Sequence, residues 1–291
     1  MYTLNLLINS TATQYEKLTF PIFRSLLHNL ELNPSIIAIG ASCLGQPIGL
    51  AIAQIHPDSN SAEILSLFVA SSYRCRGVGT ALLTRLESEL SQRGCRKAEL
   101  VYTTGKPTTP ALEHLLHKCH WALPQPRMLV CKTTEKMMDA PWMNRYSLPP
   151  TFTIFPWTDL TENERLSIQK RQAEKPWIPQ DLIPFQYEEN LESLNSLGLL
   201  YKGEVVGWIL THRIDSNTIR YTCSFVQQEF QRMGRMIPLL VEAIKRQYQA
   251  KIFNAIWAVS VNRTAMGDFV KRRMANYMES IEESRGTFKL L

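Results

Sequence analysis

The spacing of hydrophobic and polar residues changes along the chain, and each change predicts a different element. Apolar residues in alternation predict strands, while apolar residues three and four positions apart predict helices. In the first half these patterns predict strand 2–8, helix 13–30, hairpin 35–39 and 47–55, strand 62–70, helix 78–92, strand 97–103, helix 110–118 and strand 127–131. In the second half they predict strand 151–155, helices within 161–192, hairpin 197–212, strand 218–226, helix 234–248, strand 252–260 and helix 263–273.

One charge-free stretch, from Leu32 to Pro57, is long enough to cross a bilayer. Glycines and prolines interrupt it, and the turn Gly45-Gln-Pro-Ile divides it. We therefore interpret it as two buried strands and expect no membrane span. The first ten residues have no positive region and no small-residue cleavage site, which argues against a signal peptide.

Two motifs recur at a nearly constant distance, which predicts two related domains. The segment Gly-Gln-Pro-Ile-Gly-Leu-Ala-Ile-Ala-Gln at Gly45 resembles the segment at Gly203, 158 residues later. The segment Val-Ala-Ser-Ser-Tyr-Arg-Cys-Arg-Gly-Val at Val69 resembles the segment at Val226, 157 residues later. A period of this length fits a whole domain and not a solenoid repeat. We expect two α/β domains, each a mixed, largely antiparallel sheet flanked by helices.

A linker is expected between the two halves because residues 147–150, Ser-Leu-Pro-Pro, end in a proline pair. Prolines resist the continuation of a helix or of a central strand. The expected division is a first domain at 1–135, a linker at 136–150 and a second domain at 151–291.

Composition narrows the class of protein. Hydrophobic residues make up 45% and charged residues 20%, which is typical of a globular protein and excludes disordered, collagen-like and coiled-coil chains. The net charge of +6 favours acidic ligands such as phosphates or an acidic carrier protein, and no run of like charges indicates a nucleic-acid arm. Six scattered cysteines without a Cys-x-x-Cys pair predict reduced thiols in a cytoplasmic protein.

The candidate chemistry lies between the strand that ends near Val69 and the helix that begins near Val78. The turn between them is Arg74-Cys-Arg-Gly-Val-Gly-Thr-Ala. A helix N-terminus offers unpaired N–H donors and a positive dipole end, which suit a pyrophosphate group. The two glycines let the backbone approach an anion and the two arginines add charge, although glycines before a helix also occur in ordinary tight turns.

The run from Ala62 to Leu83 resembles the acyl-CoA-binding core of the GNAT superfamily of N-acyltransferases. In that family a strand ending in Val leads to [Gln/Arg]-x-x-Gly-x-[Gly/Ala] at a helix start. The second half resembles a degenerate copy, Gln231-Arg-Met-Gly-Arg-Met, in which Met236 replaces the small residue. The resemblance implies two consecutive GNAT-like domains, of which only the first binds acyl-CoA productively. The cofactor-binding residues it implies are Leu67, Phe68, Val69, Arg74, Cys75, Arg76, Gly77, Val78, Gly79 and Thr80.

The resemblance also implies a reaction, in which an acyl group, acetyl by default, moves from acetyl-CoA or another acyl-CoA to a primary amine by direct attack. Glu63 stands where the histone-acetylating branch carries its catalytic Glu, although a solvated strand-end carboxylate would look the same. Leu116 and Phe269 stand where the family's acidic Tyr is expected. Tyr73, Tyr102 or water could protonate the leaving thiolate instead, and we take Tyr102 as the candidate acid.

Two other functions stay open at this stage. Fatty-acyl transfer to a Lys-type peptide side chain, from a longer acyl-CoA or an acyl carrier protein, would suit the Met- and Trp-rich second half. A non-catalytic acyl-CoA sensor would suit the missing Tyr. We expect an amine-bearing small molecule or peptide as acceptor, no nucleic-acid partner, and a monomer or homodimer.

Three histidines near Cys119 raise the question of a metal site. His114, His117 and His120 recur at steps of three, which spreads their rings over about 120° of a helix surface. No carboxylate cluster lies nearby in sequence. We therefore interpret them as solvated helix residues and expect no metal.

Overall fold

The computed structural model describes residues 2–291, which form two compact units. Unit 1 comprises Met1–Arg127 together with Glu283–Leu291, and unit 2 comprises Met128–Glu282. All six cysteines are free thiols. Among the helices of residues 2–291, none is both long enough and apolar enough to span a bilayer.

The strands carry the chemistry-bearing segments and are numbered in chain order. They are β1 (Thr3–Leu6), β2 (Ile36–Cys43), β3 (Gln46–His56), β4 (Ser61–Val69), β5 (Lys97–Thr103), β6 (Gln125–Thr133), β7 (Phe152–Pro156), β8 (Leu197–Tyr201), β9 (Glu204–Asp215), β10 (Thr218–Val226), β11 (Asn254–Ser260) and β12 (Met278–Leu290).

The α-helices are numbered in the same way, and short 3-10 helices occupy parts of the connections. They are α1 (Asn9–Ala12), α2 (Arg24–Leu27), α3 (Val78–Gln92), α4 (Thr109–Lys118), α5 (Glu162–Glu174), α6 (Gln228–Arg232), α7 (Met236–Gln249) and α8 (Thr264–Phe269). A π-helical turn, Val270–Met274, follows α8.

The sheet of unit 1 has the order β1-β2-β3-β4-β5-β12, with antiparallel neighbours except for the parallel pair β4 and β5. The pairing of β4 with β5 ends at Ile64 and Leu100, although both strands continue. The register of β4 with β3 skips Leu65, which marks a β-bulge. A gap therefore opens between β4 and β5 beside a bulged backbone.

Both faces of the unit 1 sheet are covered, which accounts for the charge-free stretch at 32–57. Ile37 and Ile39 of β2 pack in the cluster that contains α3, whereas Ile36 and Ala38 pack with the short helices that follow β1. A strand buried on both faces has a continuous hydrophobic sequence. The interpretation of this stretch as two buried strands is confirmed.

The end of the chain supplies the last strand of unit 1. Residues 284–290 of β12 pair antiparallel with residues 97–103 of β5. Lys289 Nζ lies 2.6 Å from Glu87 Oε2, and Trp121 Nε1 donates to Glu87 Oε1 at 2.7 Å. This pair is nearly enclosed, since the Glu87 side chain is only 9% exposed. The sequence pattern did not predict β12 because most of its residues are polar and do not alternate with apolar ones.

Unit 2 repeats the arrangement with its own strands, in the order β6-β11-β10-β9-β8-β7. Its parallel pair is β10 with β11, and the pairing ends at Tyr221 and Trp257. The register of β10 with β9 skips Thr222, which is 157 residues after the bulge at Leu65. The repeat detected in the sequence therefore extends to the bulge and the gap.

The compact units differ from the expected division in two places. The strand predicted at 127–131 as the end of the first half instead lies mainly in unit 2, where residues 128–133 pair with β11. The expected linker at 136–150 contains Met137 and Trp142, which are buried in the core of unit 2. Apolar side chains in this segment are used for packing, so it does not behave as a solvated connection.

The single helix predicted over 13–30 is wrong, because the structure divides this segment. A 3-10 helix, Thr13–Leu18, is followed by a second one, Pro21–Phe23, and then by α2. Proline lacks an N–H donor and disfavours the helical conformation of the residue before it. Phe20 is accordingly extended, with φ −65° and ψ 146°.

Removing the cation that neutralises Glu87 should destabilise unit 1. Lys289→Met leaves an enclosed carboxylate without its partner, and we expect a loss of about 3 kcal/mol in the free energy of unfolding. The matched control is Lys97→Met, because the Lys97–Glu99 pair is exposed and should contribute less than about 1 kcal/mol. Urea unfolding of the three proteins measures both values, and equal losses would contradict the assignment.

Candidate active site

The loop between β4 and α3 presents a row of backbone donors. Cys75 and Gly77 have positive φ angles of 58° and 81°, and Arg76 lies between them. Such alternation forms a concave nest of N–H groups. Among residues 2–291, the amides of 75–77 have no backbone acceptor, and the amides of 78–80 open helix α3. The loop therefore offers six neighbouring donors, and the positive end of a helix dipole, to an anion.

The first residue of the loop ties it to the end of β4. Arg74 Nε donates a hydrogen bond to the Val69 carbonyl oxygen at 3.0 Å. In unit 2, Gln231 Nε2 donates to the Val226 carbonyl oxygen at 2.6 Å, 157 residues further on. Arg and Gln thus perform the same structural task, which leaves the terminal guanidinium nitrogens of Arg74 available for an anion.

The other loop side chains frame this nest. The Arg74 guanidinium lies 5.8 Å from the centroid of the half-exposed Phe68 ring. The Arg76 guanidinium lies 5.8 Å from the centroid of the Tyr73 ring. The Cys75 thiol is exposed, whereas Val78 is buried in the core of unit 1. The two positive charges of the loop are therefore held beside aromatic rings at its surface.

The residues that precede the loop and the helix α4 define the inner side of the site. Leu67 and Val69 pack against the core of unit 1. A Cβ atom on Gly79 would lie 3.5 Å from Leu115 Cδ2 and 3.7 Å from Val69 Cγ2. Leu115 of α4 therefore lies beside the loop, while Leu116, expected at the position of the family's Tyr, is buried in the core.

Glu63 lies near the bulge and is not part of the loop. It precedes Leu65 by two residues, about 7 Å along a strand, and lies about 20 Å along β4 from Val69. Its side chain is partly buried and forms no hydrogen bond or ion pair with any other described residue. The residue opposite it on β5 is Glu99, which pairs with Lys97. Glu63 is thus an unpaired carboxylate beside the irregular backbone of β4.

Tyr102 belongs to a hydrogen-bonded network on another part of unit 1. Its hydroxyl donates to Glu113 Oε1 at 2.7 Å, and Arg285 Nη1 donates to the same oxygen at 2.8 Å. Burial and the adjacent Glu113 carboxylate raise the pKa of Tyr102, while the hydrogen bond from Tyr102 lowers the pKa of Glu113. The phenol proton is therefore held by a carboxylate, which favours a positioning role for Tyr102.

The corresponding loop of unit 2 has fewer available donors. The amides of Gly234, Arg235 and Ile237 donate to backbone carbonyls of the loop and of α6. Gly234 itself has φ 70°, similar to Gly77, so the turn is retained. Its N–H donors, however, are bonded within the loop and to α6.

A large cavity lies in unit 2, in the gap between β10 and β11. Its volume is about 810 Å³, and its lining includes residues of both strands and of α7, together with Asp181, Leu182 and Tyr187. Sequence reasoning did not locate it, although the Met-rich composition of the second half was a signal. The size is typical of small-molecule sites, which span roughly 300–1,000 Å³.

Neither the histidines nor other groups form a metal centre in the part of the chain that the structure describes. His114, His117 and His120 are exposed, on or just after α4. No group of three or more His, Cys, Asp or Glu side chains within residues 2–291 is placed to hold a metal ion.

The sequence and the fold were compared with known proteins. A family described as the acetyltransferase (GNAT) family matches residues 4–121, and no curated protein sequence matches the chain. A tandem GNAT protein from the clavulanic acid biosynthesis pathway, solved without AcCoA, aligns over 100% of this chain and 98% of its own, with 12% identity and a TM-score of 0.61. A GCN5-related N-acetyltransferase from Sphaerobacter thermophilus aligns over 99% and 95%, with 16% identity and a TM-score of 0.65. At these identities the likeness shows a shared fold.

The bond from Arg74 to the end of β4 should hold the loop in place. Arg74→Ala removes the bond, whereas Arg74→Gln should restore it because Gln231 makes the same contact in unit 2. We expect hydrogen exchange at the Tyr73 and Arg74 amides to accelerate about tenfold in the Ala variant and far less in the Gln variant. Arg76→Ala, which removes only a contact to the Tyr73 ring, is the control. Equal acceleration in all three would contradict this role.

Proposed function

We propose a reaction for this chain from one premise: it is a tandem GNAT protein, as predicted, and its residues 4–121 belong to the acetyltransferase (GNAT) family. The family supports acyl transfer from acyl-CoA. The proposed reaction is transfer of an acyl group, acetyl by default, from acyl-CoA to a primary amine, with unit 1 as the acyl-CoA-binding unit.

The observation that carries this proposal is the difference between the two loops. In unit 1 the amides of 75–80 are available to a diphosphate, and Arg74 and Arg76 add charge beside them. In unit 2 the amides of Gly234, Arg235 and Ile237, at the positions of Gly77, Val78 and Thr80, already donate to backbone carbonyls. Charge-assisted bonds to an anion are the stronger ones, so the unit with free donors should bind the diphosphate.

The chemistry proposed for unit 1 uses the gap beside the bulge. The backbone at Leu65 lies outside the ladders to β3 and to β5, and its N–H group could polarise a thioester carbonyl. This bulge lies two residues before the Leu67–Val69 segment that leads into the loop. Glu63, partly buried and unpaired, would accept the amine proton directly or through a water molecule.

Attack of the neutral amine forms the new C–N bond, and collapse of the tetrahedral intermediate breaks the C–S bond. The thiolate of CoA then needs a proton. Tyr102 would have to leave Glu113 to provide it, and its raised pKa makes it a weaker acid. We therefore propose that the thiolate is protonated by water or by Glu63, which has taken up the amine proton.

Acetyl-CoA binding should depend on one loop only. A Cβ atom added at Gly77 or at Gly234 would have its nearest neighbour at 3.9 Å in each case, and both glycines have positive φ. The two sites are therefore matched in space and in backbone strain. We expect one acetyl-CoA per chain in a calorimetric titration, with affinity lost by at least about 100-fold in Gly77→Trp and unchanged in Gly234→Trp.

The opposite result has a clear meaning. Loss of binding in Gly234→Trp with retention in Gly77→Trp would place the acyl-CoA site in unit 2. Absence of heat with both acetyl-CoA and a medium-chain acyl-CoA would remove the enzyme hypothesis. Thermal unfolding of each variant confirms that the fold is retained.

Glu63→Gln should lower turnover without changing acetyl-CoA affinity. General-base catalysis contributes about 10²–10⁴-fold, so we expect amine-dependent CoA release to fall by at least 100-fold. Glu99→Gln is the matched control, because Glu99 lies opposite Glu63 on β5. Tyr102→Phe should keep the turnover number within about threefold. Unchanged CoA release in Glu63→Gln, across polyamines, amino sugars and lysine peptides, would refute the base assignment.

Fatty-acyl transfer and acyl-CoA sensing are distinguished by two further readouts. A rate that falls steadily as the acyl chain lengthens beyond acetyl removes fatty-acyl transfer. Binding of acyl-CoA without turnover on any amine supports a sensor.

A further inference from the structure

The cavity of unit 2 occupies the place where two parallel strands separate. Its lining includes Thr222 and Ser224 of β10, and Ala258 and Ser260 of β11, all beyond the last paired residues. The facing edges of the two strands are unpaired there, so their N–H and C=O groups are exposed to the cavity. An occupant with a hydrogen-bonding group could therefore pair with these edges.

The charge of the lining disfavours an anion. Arg263 is the one basic side chain among the described residues that line the cavity, and its Nη2 contacts both carboxylate oxygens of Asp181, at 3.0 and 2.9 Å. Glu135 adds a second carboxylate with no matching cation. Among the lining residues, a ligand with several phosphate charges would therefore find no unpaired cation to offset its lost hydration.

The loop at the entrance of α7 gives the same indication. Gly234, Arg235 and Ile237 have no free amide, because each already donates to a backbone carbonyl. The cavity thus resembles the gap of unit 1 in position but lacks the donors that would hold a diphosphate.

The walls are mainly apolar and adaptable. Leu240, Ile244 and Trp257 contribute to the lining, together with methionine side chains, which adjust to irregular ligands. The methionines are Met128, Met137, Met138, Met236, Met266 and Met274.

The enclosed polar groups of the wall are already satisfied. The Tyr221 hydroxyl donates to Gln247 Oε1 at 2.9 Å and accepts from Asn195, while Gln247 Nε2 donates to the Asn254 carbonyl at 3.0 Å. These groups need no partner from a ligand, so an apolar chain can lie against them without a polar penalty.

We propose that this cavity binds an elongated, uncharged amphiphile, an aliphatic chain that carries a neutral amide or hydroxyl group, and that it does not bind acyl-CoA. The chain would contact the methionine-lined walls, and the neutral polar group would pair with the free edge of β10 or β11. Unit 2 is then a binding unit with its own ligand class. This inference is independent of the reaction proposed for unit 1.

The test uses the full chain and the neutral fluorescent probe N-phenyl-1-naphthylamine. Decanamide and 1-decanol should displace the probe. Decanoate, which has a chain of the same length but carries a charge, should compete at least about tenfold less well, because the lining is acidic. Acetyl-CoA should not displace the probe.

Two substitutions locate the site. Ser224→Trp and Ala258→Trp add bulk at two cavity-lining positions, one on each strand, and each should weaken decanamide binding at least tenfold while acetyl-CoA affinity is unchanged. Gly77→Trp is the reciprocal control, which should lose acetyl-CoA and keep decanamide. Thermal unfolding shows which variants fold. If neither Trp variant folds, the ligand series on the unmodified chain tests the inference.

Three outcomes would overturn the inference, each in a different way. Displacement of the probe by acetyl-CoA would make the cavity an acyl-CoA site. Equal competition by decanoate and decanamide would refute the charge argument, and non-saturable probe binding would refute the site. Decanamide binding without any acetyl-CoA binding would instead refute the proposed function while this inference stands.

Discussion

The site of unit 1 depends on the pairing of β5 with a strand from the other end of the chain. Residues 284–290 cover the outer edge of β5, and Lys289 neutralises Glu87 on α3. Helix α3 in turn opens at the donor-rich loop. The positions of the loop and of the gap are thus linked, through β5 and α3, to residues nearly two hundred positions away.

The two units share one strand arrangement but differ in the residues around the gap between their parallel strands. In each, a parallel pair of strands separates after four paired residues beside a bulge, at positions 157 residues apart. A strand gap creates space and unpaired backbone groups, but it does not specify a ligand. We propose that the ligand is specified by the loop donors and the lining charges, because the free amides of unit 1 suit an anion whereas the cavity lining of unit 2 is neutral to acidic.

Patterns within one element were predicted well. Helix α3 and strands β5 and β10 have the predicted bounds, because each combines a clear period with a Gly or polar boundary. The sequence also predicted the loop between β4 and α3, and it showed that Met236 replaces the small residue in the corresponding loop of unit 2. The apolar spacing over 13–30 predicts one helix, but Pro21 interrupts it and the segment divides into shorter helices.

The sequence by itself determined the repeat, the fold class, the buried strands of the charge-free stretch and the position of the candidate anion loop, because these depend on residues close together in the chain. Only the tertiary structure decided which strand completes unit 1, which amides are free, that Tyr102 is bound to Glu113, and where the large cavity lies. These features arise from contacts between distant segments. A polar strand such as β12 has no hydrophobic pattern from which it could be predicted. Its place is set by its pairing with the edge of β5 and by the contact of Lys289 with the enclosed Glu87 carboxylate.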